Sequence, residues 1–291
     1  MSLLAKFNLI LILCFGLAIV PTYLVTQNLL QKNARTQVVQ EARLMLETAL
    51  ATRGYTNKQI KPLLAPRLAE EFLPQSVPAY SATEIFNSLR EKHPEYVYKE
   101  ATLNPTNPRN RTVDWEADVV NAFRNDAKLA EIVGEREAPL GRSLYLAKPI
   151  KVSDPGCLSC HTAPESSPAS FVKLYGTSGG YGWKLNEIIG AQIVSVPMAL
   201  PLKMAKQAES TMLASLVGVF VFLLMLLNIL LWFSIIRPIR RLSKMADAVS
   251  TGDLDAPEVK VRSRDEIGVL AGSFNRMRIS LVKALKMLEE E

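Results

Sequence analysis

Two long, uncharged apolar runs limit what this chain can fold into more than any other feature. The first is FNLILILCFGLAIVPTYLV, residues 7–25, and the second is MLASLVGVFVFLLMLLNILLWFSII, residues 212–236. A helix of roughly 20 apolar residues crosses a bilayer with every backbone polar group paired internally. The second run exceeds that length. The first follows Lys6, a place where a cleaved secretion signal looks much the same. No small-x-small cleavage site closes it, and Pro21 to Val25 carries it beyond a signal core, so it reads as an uncleaved anchor. The expected division is an N-terminal transmembrane anchor at 1–26, an exported domain at 27–210, a second transmembrane helix at 211–236 and a cytoplasmic module at 237–291.

Charge sets the orientation. Arg237, Arg240, Arg241 and Lys244 precede the first acid, Asp247, on one side of the second span, whereas Lys203, Lys206 and Glu209 lie on the other. The basic side belongs in the cytoplasm. The chain is therefore expected to be a two-pass inner-membrane protein with both termini cytoplasmic and its middle domain periplasmic or lumenal. The formal net charge of +6 is spread over both compartments and gives no reason to expect nucleic-acid binding. With 48% hydrophobic and 21% charged residues, the chain is too apolar to be disordered.

Cys14 falls in the first apolar run, where a thiol acts as a small hydrophobe. Cys157 and Cys160 fall in the exported part, an oxidising compartment, within GCLSCHT at 156–162. Cys-x-x-Cys-His matches covalent haem attachment: two thiols at the separation of the porphyrin vinyls, and an adjacent histidine for the iron. The alternatives fit less well. A structural zinc needs four ligands, and the only other histidine is His93. A redox dithiol needs a helix opening at the motif, yet Pro155 and Gly156 precede it, with Pro164 and Pro168 following. A structural disulfide stays open. For the sixth iron ligand the candidates are Met45, on a buried helical stripe, and His93, in the polar turn EKHPEY; an open position is the third option. Arg53, Tyr55, Arg109, Arg111, Tyr175, Tyr181 and Trp183 are candidates for propionate or ring contacts, since guanidinium forks suit carboxylates and aromatics suit a macrocycle.

The rest of the exported part reads as α+β. Residues 28–53 lack Pro and Gly, and Ala34, Val38, Ala42, Met45 and Ala49 form one helical stripe, with Gly54 expected to end the helix. Short helices are expected at 56–71 and 82–92, a strand at 95–103, a turn-rich loop at 104–111 and a helix at 114–134. Further strands are expected at 143–152 and within 186–197. Beyond the second span, a helix at 238–250 presents Ile239, Leu242, Met245 or Ala246, and Val249 on one face. The polar connector TGDLDAPEVKVRSRDE follows. Ile267, Leu270, Phe274, Met277, Leu281, Leu285 and Leu288 then form a heptad seam that ends in Glu289, Glu290 and Glu291, as in helices that pair in a bundle.

Two resemblances rest on these motifs. Pro238, the GDL of Gly252 to Leu254 and the DEIG of Asp265 to Gly268 resemble a HAMP domain over about 236–288. ATRGYTNKQIKP at 51–62, YKEATLNPTNPRNRTVDWEA at 98–117, CLSCH at 157–161 and GGYGWKLNEIIGAQIVSVP at 179–197 resemble the c-type haem sensor-domain family with a PAS-like fold, found ahead of HAMP modules in bacterial and cyanobacterial receptors. The resemblance implies a PAS/Cache-like domain between two membrane helices, followed by an all-α HAMP coiled-coil module. It also implies one haem c on Cys157 and Cys160, His161 as axial ligand, and a homodimer through HAMP. Because the sequence stops at Glu291, the output is expected to be a separate cytoplasmic partner such as a histidine kinase or cyclase.

Three functions follow from this reading. The first is a membrane-bound haem sensor of redox state or of a small ligand such as NO, CO or O2. The second is a membrane-anchored monohaem electron carrier, which leaves a complete HAMP unexplained. The third is a haem-free, PAS-like receptor for a small ligand. No nucleophile, paired acids or phosphate loop argues for an enzyme.

Overall fold

The first apolar run lies in α1 (Leu3–Tyr55), a helix that accommodates Pro21 and continues well past the run. The computed structural model describes residues 1–68, 70–139, 141–253 and 265–289. It divides into two compact units, Thr26–Glu209 and Met1–Val25 with Ser210–Glu291. In the first of these, α1 buries Ala34, Val38, Ala42, Met45, Leu46 and Ala49, which is the expected stripe with Leu46 added. Gly54 does not end the helix. A π turn at Thr56–Ile60 follows α1 directly, and α2 (Lys61–Leu68) continues from it. Glycine within a helix costs only about 1 kcal/mol relative to alanine, and buried Thr56 secures the passage by donating its hydroxyl to the Thr52 carbonyl at 2.9 Å.

Next come α3 (Pro78–Lys92), β1 (Val97–Thr102), α4 (Asp114–Asn125), β2 (Ile132–Ala138), β3 (Gly141–Lys151), two short helices α5 (Leu158–His161) and α6 (Ala169–Tyr175), and β4 (Ile188–Pro197). The helix expected over 114–134 stops at Asn125. Asp126 turns extended, its carboxylate accepts from the Lys128 amide at 3.0 Å, and 132–138 forms a strand. Ile132 and Val133 find Ala147 and Leu146 opposite them on β3, so strand pairing overrides the local helical pattern.

The strands form one antiparallel sheet in the order β1-β4-β3-β2. Alternation along each strand splits the core in two. Tyr98, Leu144, Leu146, Val194 and Val196 pack on the α1 stripe and on Ala82 and Phe86 of α3. Ala101, Ala147, Ala191 and Ile193 pack on Val119, Val120 and Phe123 of α4. The domain is therefore α+β, with helices on both faces of the sheet.

The other unit begins at Ser210 within α7 (Ala199–Leu231), which carries the second apolar run, and a π turn at Trp232–Ile236 joins it to α8 (Arg237–Ser250). Both apolar helices are long enough to cross a membrane. They run antiparallel: Asn8 and Asn228 exchange side-chain amide hydrogen bonds of 2.9 and 2.8 Å, and Phe15 stacks on Phe220 at 3.8 Å. Leu242 and Met245 of α8 meet Ile267, Ala271 and Phe274 of α9 (Glu266–Glu289). Ile239, expected on that face, is exposed, because the contact with α9 begins a turn later at Leu242. Leu270, Met277 and Leu281 of the seam are exposed in the single chain. The connector from Leu254 to 264, the side chains of Leu285, Leu288 and Glu289, and Glu290 and Glu291 lie outside the described residues.

Candidate functional site

The segment joining β3 to β4 leaves and re-enters the sheet at one rung. The Val152 amide donates to the Glu187 carbonyl at 2.9 Å, and the Asn186 amide donates to the Val152 carbonyl at 2.8 Å. Inside it, the Asp154 carboxylate accepts from the Gly156 amide at 2.8 Å and starts a tight turn over Pro155–Cys157, which runs into α5. Cys157, Cys160 and His161 therefore stand at i, i+3 and i+4 of one helical turn, the spacing that places side chains on one face. Both thiols are free and partly exposed. The Ser167 hydroxyl fixes the turn by donating to the Cys160 carbonyl at 2.9 Å.

His161 is held from several sides. Its Nδ1 is 2.7 Å from the Gly180 carbonyl oxygen and 3.4 Å from the Thr106 hydroxyl. A carbonyl can only accept, so the imidazole carries its proton on Nδ1 and leaves the Nε2 lone pair uncommitted. Trp183 stacks on the ring at 3.8 Å, and Phe171 meets it edge-on at 5.8 Å. Burial lowers the pKa of the imidazole, and the Gly180 bond opposes this. The Trp183 amide donates to the His161 carbonyl at 3.1 Å, and Asn104 holds the loop by accepting from the Gly180 amide and donating to the Tyr181 carbonyl, each at 3.2 Å. Gly180 has φ of 82°, which a side chain disfavours, and a Cβ there would fall on Thr106.

Burial pushes the Cys157 thiol up, as does Asp154, while the charges of Lys61 and Arg53 offset part of this. Arg53 is thus near the motif. Its guanidinium is engaged by Glu100, whose two carboxylate oxygens accept at 2.5 and 2.6 Å. Burial opposes the charge on Arg53 and Glu100 more than compensates, so the arginine is held firmly protonated.

The other expected residues are dispersed. Tyr55 is exposed. Arg109 pairs with Glu84 at 2.6 Å and lies 5.3 Å from the centre of the Tyr80 ring. Arg111 meets Lys99 through its carbonyl at 2.8 Å. Tyr181 donates to the Gly176 carbonyl at 2.9 Å, and Tyr175 packs against Phe171 and Phe72. Met45 lies in the core between α1 and the sheet, and His93 follows α3 with its Nδ1 3.8 Å from Glu95. Gly180, Thr106, Asn104 and Phe171 escaped the sequence reading. The double glycine at 179–180, so close to the histidine, was the available signal.

The residues present suit a covalently held haem: two free thiols on one turn, and a histidine whose Nδ1 is fixed by a carbonyl so that Nε2 faces outward. Among the described residues no group of three or more His, Cys, Asp and Glu side chains converges to cage a bare metal ion.

The sequence model described as Tll0287-like matches residues 31–197, and that of the HAMP domain matches residues 230–283. The Heme sensor protein HssS of Staphylococcus aureus strains JH9 and Newman is 39% identical over 71 residues, 24% of this chain but 15% of the relative. A crystal structure of the cyanobacterial heme-protein Tll0287 is similar at a TM-score of 0.43 and 16% identity, over 55% of this chain and 94% of that one.

Proposed function

Since the chain belongs to the Tll0287-like family and carries a HAMP domain, we propose that it is a membrane-bound receptor whose exported, PAS/Cache-like domain senses redox state or a small ligand at a single haem c. In this reading Cys157 and Cys160 would hold the haem through thioethers, and His161 would bind the iron through Nε2. The observation that carries it is the 2.7 Å contact from His161 Nδ1 to the Gly180 carbonyl beside two free thiols. Second partners of this kind orient metal-bound histidines and raise their basicity. When bound, the haem supplies one-electron chemistry and an iron coordination position.

The chain's own residues do the rest. Trp183 and Phe171 shield the His161 ring from water. Lys61 and Arg53 place positive charge beside Cys157. The antiparallel sheet with helices on both faces supports the PAS/Cache-like description. The exposed seam residues Leu270, Met277 and Leu281 support pairing of the HAMP helices with a second copy. A shift in α1 or α7 would then bias two arrangements of that bundle, read by a cytoplasmic partner such as a histidine kinase or cyclase. The haem domain faces the periplasm or lumen and both termini face the cytoplasm.

The test is an absorption spectrum of the full chain in detergent, from a host that attaches haem c, oxidised and reduced, with and without CO. A covalent haem whose reduced form ignores CO indicates a protein sixth ligand and favours redox sensing or electron transfer. A CO-shifted band indicates an open position and gas sensing. Absence of haem bands overturns the proposal.

A further inference from the structure

A second site lies at the far end of the same sheet. The cysteine motif adjoins the ends of β1 and β3, through Asn104 and Val152, and the start of β4, through Glu187. At the opposite strand ends a cavity of about 390 Å³ opens on the α4 face, with Val97 and Lys99 of β1 and Ile193 and Ser195 of β4 in its wall. The register pairs Val97 with Ser195 and Lys99 with Ile193, so these four residues occupy alternate rungs and share one face. Trp115 from the first turn of α4 and Arg136 from β2 close it. Its volume falls within the range of about 300–1,000 Å³ usual for small-molecule sites.

Most arginines of this domain are paired. Arg35, Arg43, Arg53, Arg67, Arg109, Arg124 and Arg142 each face a glutamate carboxylate. Arg90, Arg111 and Arg136 have no ion pair among the described residues, and of these Arg90 and Arg136 line the cavity. Arg136 lies over the Trp115 indole at 4.5 Å, an arrangement that positions a guanidinium without neutralising it. Two acids are also present. Glu116 is taken up by Lys99 at 2.6 Å and by the Val113 amide at 2.9 Å, while Glu95 faces His93 at 3.8 Å. Two uncommitted guanidinium forks therefore border an apolar wall of Val97, Ile193 and Trp115.

We propose that this cavity binds a small organic carboxylate with an apolar or aromatic body. The carboxylate meets Arg90 and Arg136, whose planar forks match its two oxygens, and the body lies on Trp115, Val97 and Ile193. The site would give the receptor an input independent of the cysteine motif. It also borders the route to the membrane helix: β4 ends at Pro197, α7 begins at Ala199, and the Met198 amide between them donates to the Arg142 carbonyl at 2.9 Å.

Calorimetric titration of the full-length holoprotein in detergent tests this, using acetate, hexanoate, benzoate and indole-3-acetate at constant ionic strength, with benzamide as the neutral counterpart of benzoate. We expect saturable binding of at least one apolar carboxylate at one site per chain, with benzamide at least about tenfold weaker than benzoate, the loss expected when a charge-assisted pair is removed. Arg136→Gln and Arg90→Gln should each weaken binding by at least about fivefold, and Arg136→Lys should recover part of it. Failure of all four acids to bind, equal binding of benzoate and benzamide, or indifference to both glutamine variants overturns the proposal. Competition by inorganic phosphate as strong as by benzoate would reduce the cavity to a bare anion site and also overturn it. Haem content and the Soret band, read on the same samples, report separately on the cysteine motif, so lost carboxylate binding with an intact Soret band counts against this site alone.

Discussion

Arg53, in the last turn of α1, and Glu100, within β1, are 47 positions apart and meet through two contacts of 2.5 and 2.6 Å. The Glu100 side chain is only 5% exposed, and Tyr98 donates its hydroxyl to the same carboxylate at 2.7 Å. Burial, with Glu100 beside it, raises the Tyr98 phenol well beyond its ordinary range, so it stays a donor at every working pH. The pair fastens the long helix to the sheet next to Cys157.

Removing one member of a buried pair leaves the other charge uncompensated. Arg53→Met is expected to destabilise the exported domain by on the order of 3 kcal/mol, and the double variant Arg53→Met/Glu100→Leu by less than the single one. Denaturant unfolding of the four members of this cycle checks it. Additive losses would show that the two side chains act separately.

Gly180→Ala is expected to disturb His161 without touching it. The added Cβ meets Thr106 at a backbone φ of 82°, so the carbonyl that orients Nδ1 must move. The strain amounts to about 1–3 kcal/mol. The measurable outcome is a shifted Soret band and reduction potential with haem still attached. Gly182→Ala is the control, because its φ is also positive but its Cβ meets nothing within 4 Å.

Attachment itself has a chemical test. Cys157→Ala and Cys160→Ala should each retain haem through the remaining thioether after acid-acetone extraction, whereas the double variant should release it. Retention by the double variant would mean that neither thiol is bonded to the group.

Acid should loosen α1 from β2. The hydrogen bond from Arg35 holds the Glu135 carboxyl below its ordinary range, against a smaller opposing effect of burial, and Arg142 adds to the lowering. A carboxylate depressed in the native state contributes stability above its unfolded pKa of about 4.3, and that contribution fades as pH falls through the native value. Arg35 and Arg142 are 51% and 57% exposed, so the loss on Glu135→Gln at neutral pH should stay below about 1 kcal/mol. Melting curves from pH 7 to pH 3 should therefore converge for wild type and Glu135→Gln at the acid end.

Periodic features could be read directly from the sequence. The stripe from Ala34 to Ala49 is visible because every fourth or third residue is apolar, and the structure buries it. Strands β3 and β4 carry β-rich composition between turn residues and lie within a residue or two of their expected bounds. Pairings made at a distance could not be read. Residues 132–138 look helical until β3 is beside them, and Gly54 looks like a stop until Thr56 is seen to be buried. The cysteine motif announced itself by three fixed residues, but its support from Gly180, Thr106 and Asn104 comes from segments 19 to about 57 residues away, and no local pattern encodes that approach.

The reciprocal bonds between Val152 and the pair Asn186 and Glu187 close the cysteine-bearing segment at one backbone neck, while Asn104, Thr106 and Phe72 hold it from outside. The cost of closing a loop grows only with the logarithm of its length, so such a cassette can be lengthened, trimmed or exchanged at its neck while β3 and β4 keep their register. The scaffold and the chemistry it displays are then separable once the supporting loop of Asn104 and Thr106 travels with the cassette. Grafting 153–185 together with the 104–106 loop onto another antiparallel sheet is the engineering counterpart of that separation.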